Sequence, residues 1–308
     1  MAAIIKAVID VGTNSAKLLV MERSNLTSRV LADTLEIVRL GEGTAESGVL
    51  SDEAMKRSSA VISDMARAAR SLGAEEISAV GTQAMRMAAN ADLFIEAVKS
   101  ACGVEIRVIS GDEEAELSFA AAVAGLRGQS GDFCVLDVGG GSSEITLGDR
   151  SSVAYRRSVP IGALSFFKKF FDVVPDGGPV PQGTLDEAAS FAESEILNAG
   201  ARRDVRMGRA LCVGIGGTVS TLAAVSRGDC RDDAGGDVLS ADEISRQIAL
   251  YASMSLDARK KVKGLPPERA DIILPGACIV REFLTHFGWS EMTVCARGLR
   301  YGVMEKIM

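Results

Sequence analysis

The stretch Asp137-Val138-Gly139-Gly140-Gly141-Ser142-Ser143-Glu144 decides how this chain is read. It follows the apolar run Phe133-Cys134-Val135-Leu136, which predicts a buried strand. Three consecutive glycines free the backbone to take positive φ and let main-chain N–H groups come close to a ligand. A row of such N–H groups in a turn forms a concave anion site. The flanking carboxylates Asp137 and Glu144 would repel a bare phosphate, so the loop points to a divalent cation between acid and anion. On its own, a glycine-rich loop reads equally well as a tight hairpin turn.

The N-terminal segment KAVIDVGTNSAKLLVME repeats the design. An apolar strand runs into Asp10 and Gly12, then Thr13, Asn14 and Ser15, then a second apolar strand. A third variant, ALCVGIGGTVSTLAAV, sets Gly214, Gly216, Gly217 and Thr218 after an apolar run, and the residues that follow suit a helix. Three such turns in one chain point to related half-domains converging on one polyphosphate ligand.

The 308 residues suffice for two domains, each with its own core. A hydrophobic share of 47% and a charged share of 24% are those of a soluble globular protein. No apolar run approaches the roughly 20 residues that span a bilayer, and the start MAAIIKAVID lacks a signal-peptide layout. Six scattered cysteines without a C-x-x-C pair read as buried reduced thiols. A cytoplasmic location without membrane contact is therefore expected. The net charge of −7 argues against nucleic acid as a partner. His286, the single histidine, rules out two-histidine catalysis and histidine-rich metal sites, and reads as a helix-end residue near the C-terminal dipole.

Strands and helices mix throughout. Ser51 is the expected N-cap and Gly73 the stop of one helix. In SGDEEAELSFAAAVAGL, Ser110 and Glu113 have capping-box spacing, and Leu117, Ala120, Ala121 and Ala124 share one apolar face. The polar interval RGQSGD divides the chain into domains 1–126 and 127–308. The second half repeats the plan of the first, giving an α/β architecture of two similar domains with a cleft between them.

DVGTNS, GTQAMRMAAN, ISGDEEAEL, LDVGGGSSE, GIGGTVSTLA, GLPPERADII and RGLRYG together resemble the exopolyphosphatase and guanosine pentaphosphate phosphohydrolase family. That family belongs to the superfamily of acetate kinase, sugar kinases, heat-shock protein 70 and actin. The resemblance implies two actin-like (ribonuclease H-like) domains with an interdomain cleft. It also implies a short member without the helical histidine–aspartate domain of longer ones. Inorganic polyphosphate would be hydrolysed from its end, short chains being preferred, with Mg2+ as cofactor and a monovalent cation such as K+ admitted beside it. A homodimer is implied as well. By motif position Glu114 corresponds to the family's general base, and Arg86 to an arginine near the scissile phosphate. Asp137 and Glu144, with Asp10 a weaker third, correspond to magnesium ligands. Thr13, Asn14 and Ser15 would bind phosphate on one wall, and Gly139, Gly140, Gly141 and Ser142 on the other. Gly216, Gly217 and Thr218 align with the superfamily's nucleotide-contacting turn, where they would bind phosphate or, in phosphatases of this family, only structure the cleft.

Without the resemblance, Glu114 reads as a first-turn acid facing the helix dipole, and Arg86 as a surface helix arginine. Lys260, Lys261 and Lys263 read as a solvated helix end in preference to a track for a long polyanion. Ser165 and Phe166 in PIGALSFFKKFF match exopolyphosphatases more closely than pentaphosphate hydrolases. Three rivals stand beside the main reading: hydrolysis of guanosine pentaphosphate, a kinase of the same superfamily, and a non-hydrolytic sensor of guanosine tetraphosphate.

Overall fold

A computed structural model of the chain describes residues 3–24, 27–172, 174, 178–201, 208–229 and 235–308. The strands are Ile4–Val11 (β1), Ser15–Arg23 (β2), Ser28–Ile37 (β3), Glu76–Gly81 (β4), Ile106–Val108 (β5), Phe133–Val138 (β6), Ser143–Gly148 (β7), Val153–Val159 (β8), Leu211–Ile215 (β9), Val238–Ser240 (β10) and Glu291–Val294 (β11). The α-helices of the first half are Thr44–Ser47 (α1), Asp52–Ser71 (α2), Gln83–Met87 (α3), Ala91–Cys102 (α4) and Gly111–Gly125 (α5). Those that follow are Ala163–Phe166 (α6), Gln182–Asn198 (α7), Gly216–Arg227 (α8), Ala241–Ala252 (α9), Leu256–Arg259 (α10), Ile273–Phe287 (α11) and Leu299–Ile307 (α12). A π-helical turn, Phe167–Phe171, continues α6.

The first sheet has the order β3-β2-β1-β4-β5; the second runs β10-β11-β9-β6-β7-β8. In each, an antiparallel meander (β1 to β3, β6 to β8) is followed by strands that return parallel to its first strand. The second sheet adds one antiparallel edge strand, β10. This is the expected α/β plan, made twice. The period of two along β1 assigns its side chains to the two faces of the first sheet. Ala7 and Ile9 join Leu18, Ile62, Met65 and Phe94 on the face covered by α2 and α4. Val8 instead meets Leu19, Leu117, Leu299 and Val303 on the other. A strand buried on both sides reads as a continuous apolar run, which is why β1 and β6 show little alternation.

The helix signals of α2 hold, whereas the apolar face expected on α5 does not: Leu117 and Ala121 are buried, Ala120 and Ala124 exposed. Ser51 Oγ accepts from Ala54 N at 3.2 Å, and Gly73 ends α2 at φ 86°. His286 lies in the last turn of α11, where its Nε2 meets Ala201 O at 2.8 Å. Cys102, Cys134, Cys212, Cys278 and Cys295 are free thiols; Cys230 lies outside the described residues. Burial pushes the Cys278 thiol up to about 12, so it stays protonated and inert. Of the loops PDGGPVPQG and DCRDDAGGD, residues 175–177 and 230–234 likewise lie outside.

The chain forms two compact units, Met1–Ala121 with Leu299–Met308, and Ala122–Gly298. The last ten residues thus belong to the first unit, where the sequence reading had placed them in the second. Lys6 Nζ donates to Ile307 O at 2.6 Å. Arg300 grips Asp33 with two bonds, 2.7 and 2.9 Å. The return also needs a bare Cα. A Cβ on Gly302 would strike the backbone carbonyl of Leu117 in α5. Overpacking against backbone costs about 1–3 kcal/mol, whereas alanine gains about 1 kcal/mol of helix propensity over glycine. The clash therefore prevails, and Gly302→Ala is expected to lose about 1 kcal/mol in urea unfolding with an unchanged m value. Wild-type stability in that variant would show that α12 does not depend on this approach.

Candidate active site

The parallel strands β1, β4 and β5 end at one edge of the first sheet, and the segments leaving those ends carry the expected residues. Carboxyl ends of parallel strands are where α/β folds place ligands. Gly12–Ser15 follows β1, Arg86 follows β4 on α3, and Glu114 follows β5 on α5. Two backbone bonds draw these ends together: Thr82 N to Val11 O at 3.2 Å and Ile109 N to Gly81 O at 3.0 Å. Across them Arg86 Nη1 donates to Glu114 Oε2 at 2.7 Å and to Ile109 O at 3.0 Å. The two side chains are 21% and 14% exposed, so the pair is largely shielded yet open on one side.

Ser110 Oγ caps α5 by accepting from Glu113 N at 3.1 Å. The reciprocal half of the expected capping box is replaced. Glu113 instead takes a bidentate bond from Arg107, 2.8 and 2.9 Å, which holds its carboxyl below the usual carboxylate range. A planar guanidinium fork outcompetes a single backbone N–H for a carboxylate. Glu113 and Glu114 are thereby separated, the first bound to Arg107 and the second to Arg86.

The hairpin turn of the first unit closes through Gly12 N to Ser15 O at 3.0 Å. Thr13 O accepts from Gly41 N, and Asn14 O from Val38 N and Arg39 N, each at 2.9 Å. Asn14 is 6% exposed, and its Oδ1 has no hydrogen-bond partner. A buried orphan of this kind costs about 1–3 kcal/mol and is commonest where a ligand or water completes the set.

In the second unit the turn after β6 closes identically, Gly139 N to Ser142 O at 2.9 Å. Asp-Val-Gly-Thr-Asn-Ser at 10–15 and Asp-Val-Gly-Gly-Gly-Ser at 137–142 are therefore one structural frame. The cross-strand partners differ in charge. Asp10 stands opposite Lys17, which it meets at 3.2 Å; Asp137 stands opposite Glu144. Residues opposite each other on an antiparallel pair share a face, with Cβ atoms about 4.5–5.5 Å apart. The first turn thus contains its own cation, and the second sets two carboxylates side by side. Glu144 is 3% exposed; its Oε1 accepts from Ser142 Oγ at 2.6 Å and Ser158 Oγ at 2.8 Å.

The third glycine turn opens α8 directly from β9. Gly216 has φ 86°, and a Cβ there would strike Asp137 Oδ1, so only glycine fits both the conformation and the neighbour. Thr218 is 5% exposed and donates its hydroxyl to Val138 O at 3.2 Å. The Thr218 and Ser142 hydroxyls are therefore turned toward partners within the unit: Thr218 structures the turn, one of the two roles the resemblance leaves open, and Ser142 Oγ, assigned there to phosphate, meets Glu144. Both are buried, and buried hydroxyls take the nearest acceptor.

Two residues escaped the sequence reading. The Arg269 guanidinium lies against the Cα of Gly217 and is 8% exposed; burial works against its charge. It sits in GLPPERADII, a motif read without assigning it a role. Lys17 could have been found by superposing the two Asp-Val-Gly frames. Lys260 pairs with Asp257 at 3.0 Å on an exposed helix end, in line with the solvated reading of that cluster.

Among the described residues no group of three or more His, Cys, Asp or Glu side chains could hold a metal ion. The neighbouring carboxylates Asp137 and Glu144 nevertheless fit a hard cation that keeps most of its water, as Mg2+ does. Asp10, already compensated by Lys17, fits less well. Among the described residues no helix is long and apolar enough to cross a membrane.

Residues 19–308 match the model of the Ppx/GppA phosphatase family. The chain is 32% identical to exopolyphosphatase 2 of Mycobacterium tuberculosis (strain CDC 1551 / Oshkosh), with 96% of each chain covered. It is 29% identical to guanosine-5'-triphosphate,3'-diphosphate pyrophosphatase of Aliivibrio fischeri (strain MJ11), covering 98% of this chain but only 59% of that relative's length. The solved Aquifex aeolicus PPX-GPPA enzyme superposes with a TM-score of 0.80 at 27% identity, covering 99% of this chain and all of that one. With its glycine frames and its Arg86–Glu114 pair, the chain belongs to the Ppx/GppA phosphatase family.

Proposed function

We propose that this protein is an exopolyphosphatase: it hydrolyses the terminal phosphoanhydride bond of inorganic polyphosphate and releases orthophosphate, with Mg2+ as the cation. The observation that carries the reading is the 2.7 Å bond between Arg86 and Glu114 at the ends of β4 and β5. Glu114 accepts a proton from water as the water oxygen bonds to the terminal phosphorus. The bond from phosphorus to the bridging oxygen breaks, and the shortened chain leaves as an anion. Arg86 fixes the orientation of Glu114, and its planar fork can also stabilise charge spreading over the transferring group. Asn14, through Nδ2, would bind phosphate oxygens in the first unit, and the amides of the Gly139–Ser142 frame would do so in the second. Asp137 and Glu144 would hold the magnesium, which supplies charge neutralisation at the phosphate oxygens. Most of the rate enhancement would come from positioning and electrostatics, as is usual for phosphoryl transfer.

The relative named an exopolyphosphatase, matched over 96% of both chains, supports polyphosphate as substrate. Guanosine pentaphosphate is the second reading; relatives named for that activity support it, although this chain spans 59% of their length. It uses the same catalytic groups. Glu114 weighs against a sensor that only binds guanosine tetraphosphate. The five free cysteines among the described residues support a cytoplasmic setting, and the homodimer rests on the family resemblance. Orthophosphate release from polyphosphate, required to stop when Mg2+ is chelated and to resume when it is restored, tests the reading. Absence of release at any Mg2+ concentration would overturn it.

A further inference from the structure

Four consecutive carbonyls of the second glycine frame are bonded within the second unit. Val138 O accepts from Thr218 Oγ1 at 3.2 Å. Gly139 O accepts from Ala163 N at 2.8 Å, and Gly140 O from Leu164 N at 2.8 Å and Ser165 N at 3.1 Å. Gly141 O receives a longer bond, 3.4 Å, from Ser165 Oγ. The first turn of α6 thus spends its amides on the oxygens of the loop. In a trans peptide the C=O of one residue and the N–H of the next point in opposite directions, and there are no cis peptides among the described residues. The N–H of Gly139 is used internally, closing the turn to Ser142 O. Those of Gly140, Gly141 and Ser142 are consequently directed away from α6.

Two residues make this approach possible. A Cβ on Gly162 would collide with the Gly140 carbonyl and the Gly141 nitrogen, all backbone atoms with no flexible end to yield. Ser165 Oγ accepts from Gly162 N at 3.1 Å and so ties the entry of α6 to its first turn. We infer that Gly162 and Ser165 are positioning residues for phosphate: through the loop carbonyls they hold its peptide planes in the one sense that presents three N–H groups to the ligand. The inference rests on the phosphate reading of the site. It also gives Ser165 a physical task.

The test uses inorganic tripolyphosphate with Mg2+, titrated calorimetrically and by NMR of the full chain labelled with 15N-glycine. In the wild type the Gly140 and Gly141 amide protons are expected to move downfield on binding, as donors to an anion do. Ser165→Ala is expected to weaken binding about tenfold or more, since charge-assisted bonds are sensitive to geometry. Ser165→Thr keeps the hydroxyl and should bind within about threefold of wild type. Gly162→Ala should lose at least as much as Ser165→Ala; if it fails to fold, the serine pair still decides. Binding by the wild type with both glycine amides unmoved would overturn the inference and leave the phosphate reading standing. So would equal binding by Ser165→Ala. No binding by the wild type would overturn both.

Discussion

Glu114→Gln is expected to lower kcat on polyphosphate by about 10³-fold, within the range by which general bases contribute, while KM stays close to wild type. Glutamine preserves the length and shape of the side chain, and its amide oxygen can still accept from Arg86, which reaches Glu114 Oε2 at 2.7 Å. What disappears is the capacity to take a proton from water. Glu113→Gln is the internal comparison. Glu113 is committed to Arg107 by two bonds, so its loss should affect the entry of α5 and leave turnover nearly intact. If Glu114→Gln retained wild-type kcat, or if the two variants behaved alike, the assignment of the base would fail.

The second large effect concerns the cation. Asp137→Asn is expected to raise the Mg2+ concentration for half-maximal activity at least about 10–100-fold, since even groups supporting a metal ligand cost that much when removed. Asp10→Asn should shift it far less. The contrast follows from the cross-strand partners: Asp10 already faces Lys17 at 3.2 Å, whereas Asp137 faces Glu144. A titration of activity against Mg2+ for the two variants decides the matter. Equal shifts would mean that Asp137 matters to the cation no more than Asp10 does, and no shift in Asp137→Asn would remove that residue from the metal site.

Much of this architecture was readable because its signals are local. An apolar run ending in Asp-x-Gly forces a turn wherever it occurs, and the repeat of that pattern at 10–15 and 137–142 exposed the duplication. The Ser51 and Ser110 caps are likewise decided within four residues of chain. What could not be read depends on distant partners. That α12 packs against α5 turns on Gly302 meeting Leu117, a pairing without a periodic signature. The side chain of Glu113 was expected to return to its own N-cap and went to Arg107, because the outcome depends on which cation the preceding strand delivers. Thr218 and Ser142 have the right residue type for phosphate, yet burial gave their hydroxyls to Val138 O and Glu144. Arg269 and Lys17 matter through the surfaces they meet, Gly217 and Asp10, and neither neighbour is adjacent in sequence.

The most direct measurement is orthophosphate release with Mg2+ from short polyphosphate, long polyphosphate and guanosine pentaphosphate, at matched concentrations of terminal phosphate. Faster release from polyphosphate than from the pentaphosphate, lost in Glu114→Gln, is the predicted result. Faster release from the pentaphosphate would contradict it and make the protein an alarmone hydrolase; no release from any of the three would contradict the hydrolytic account altogether.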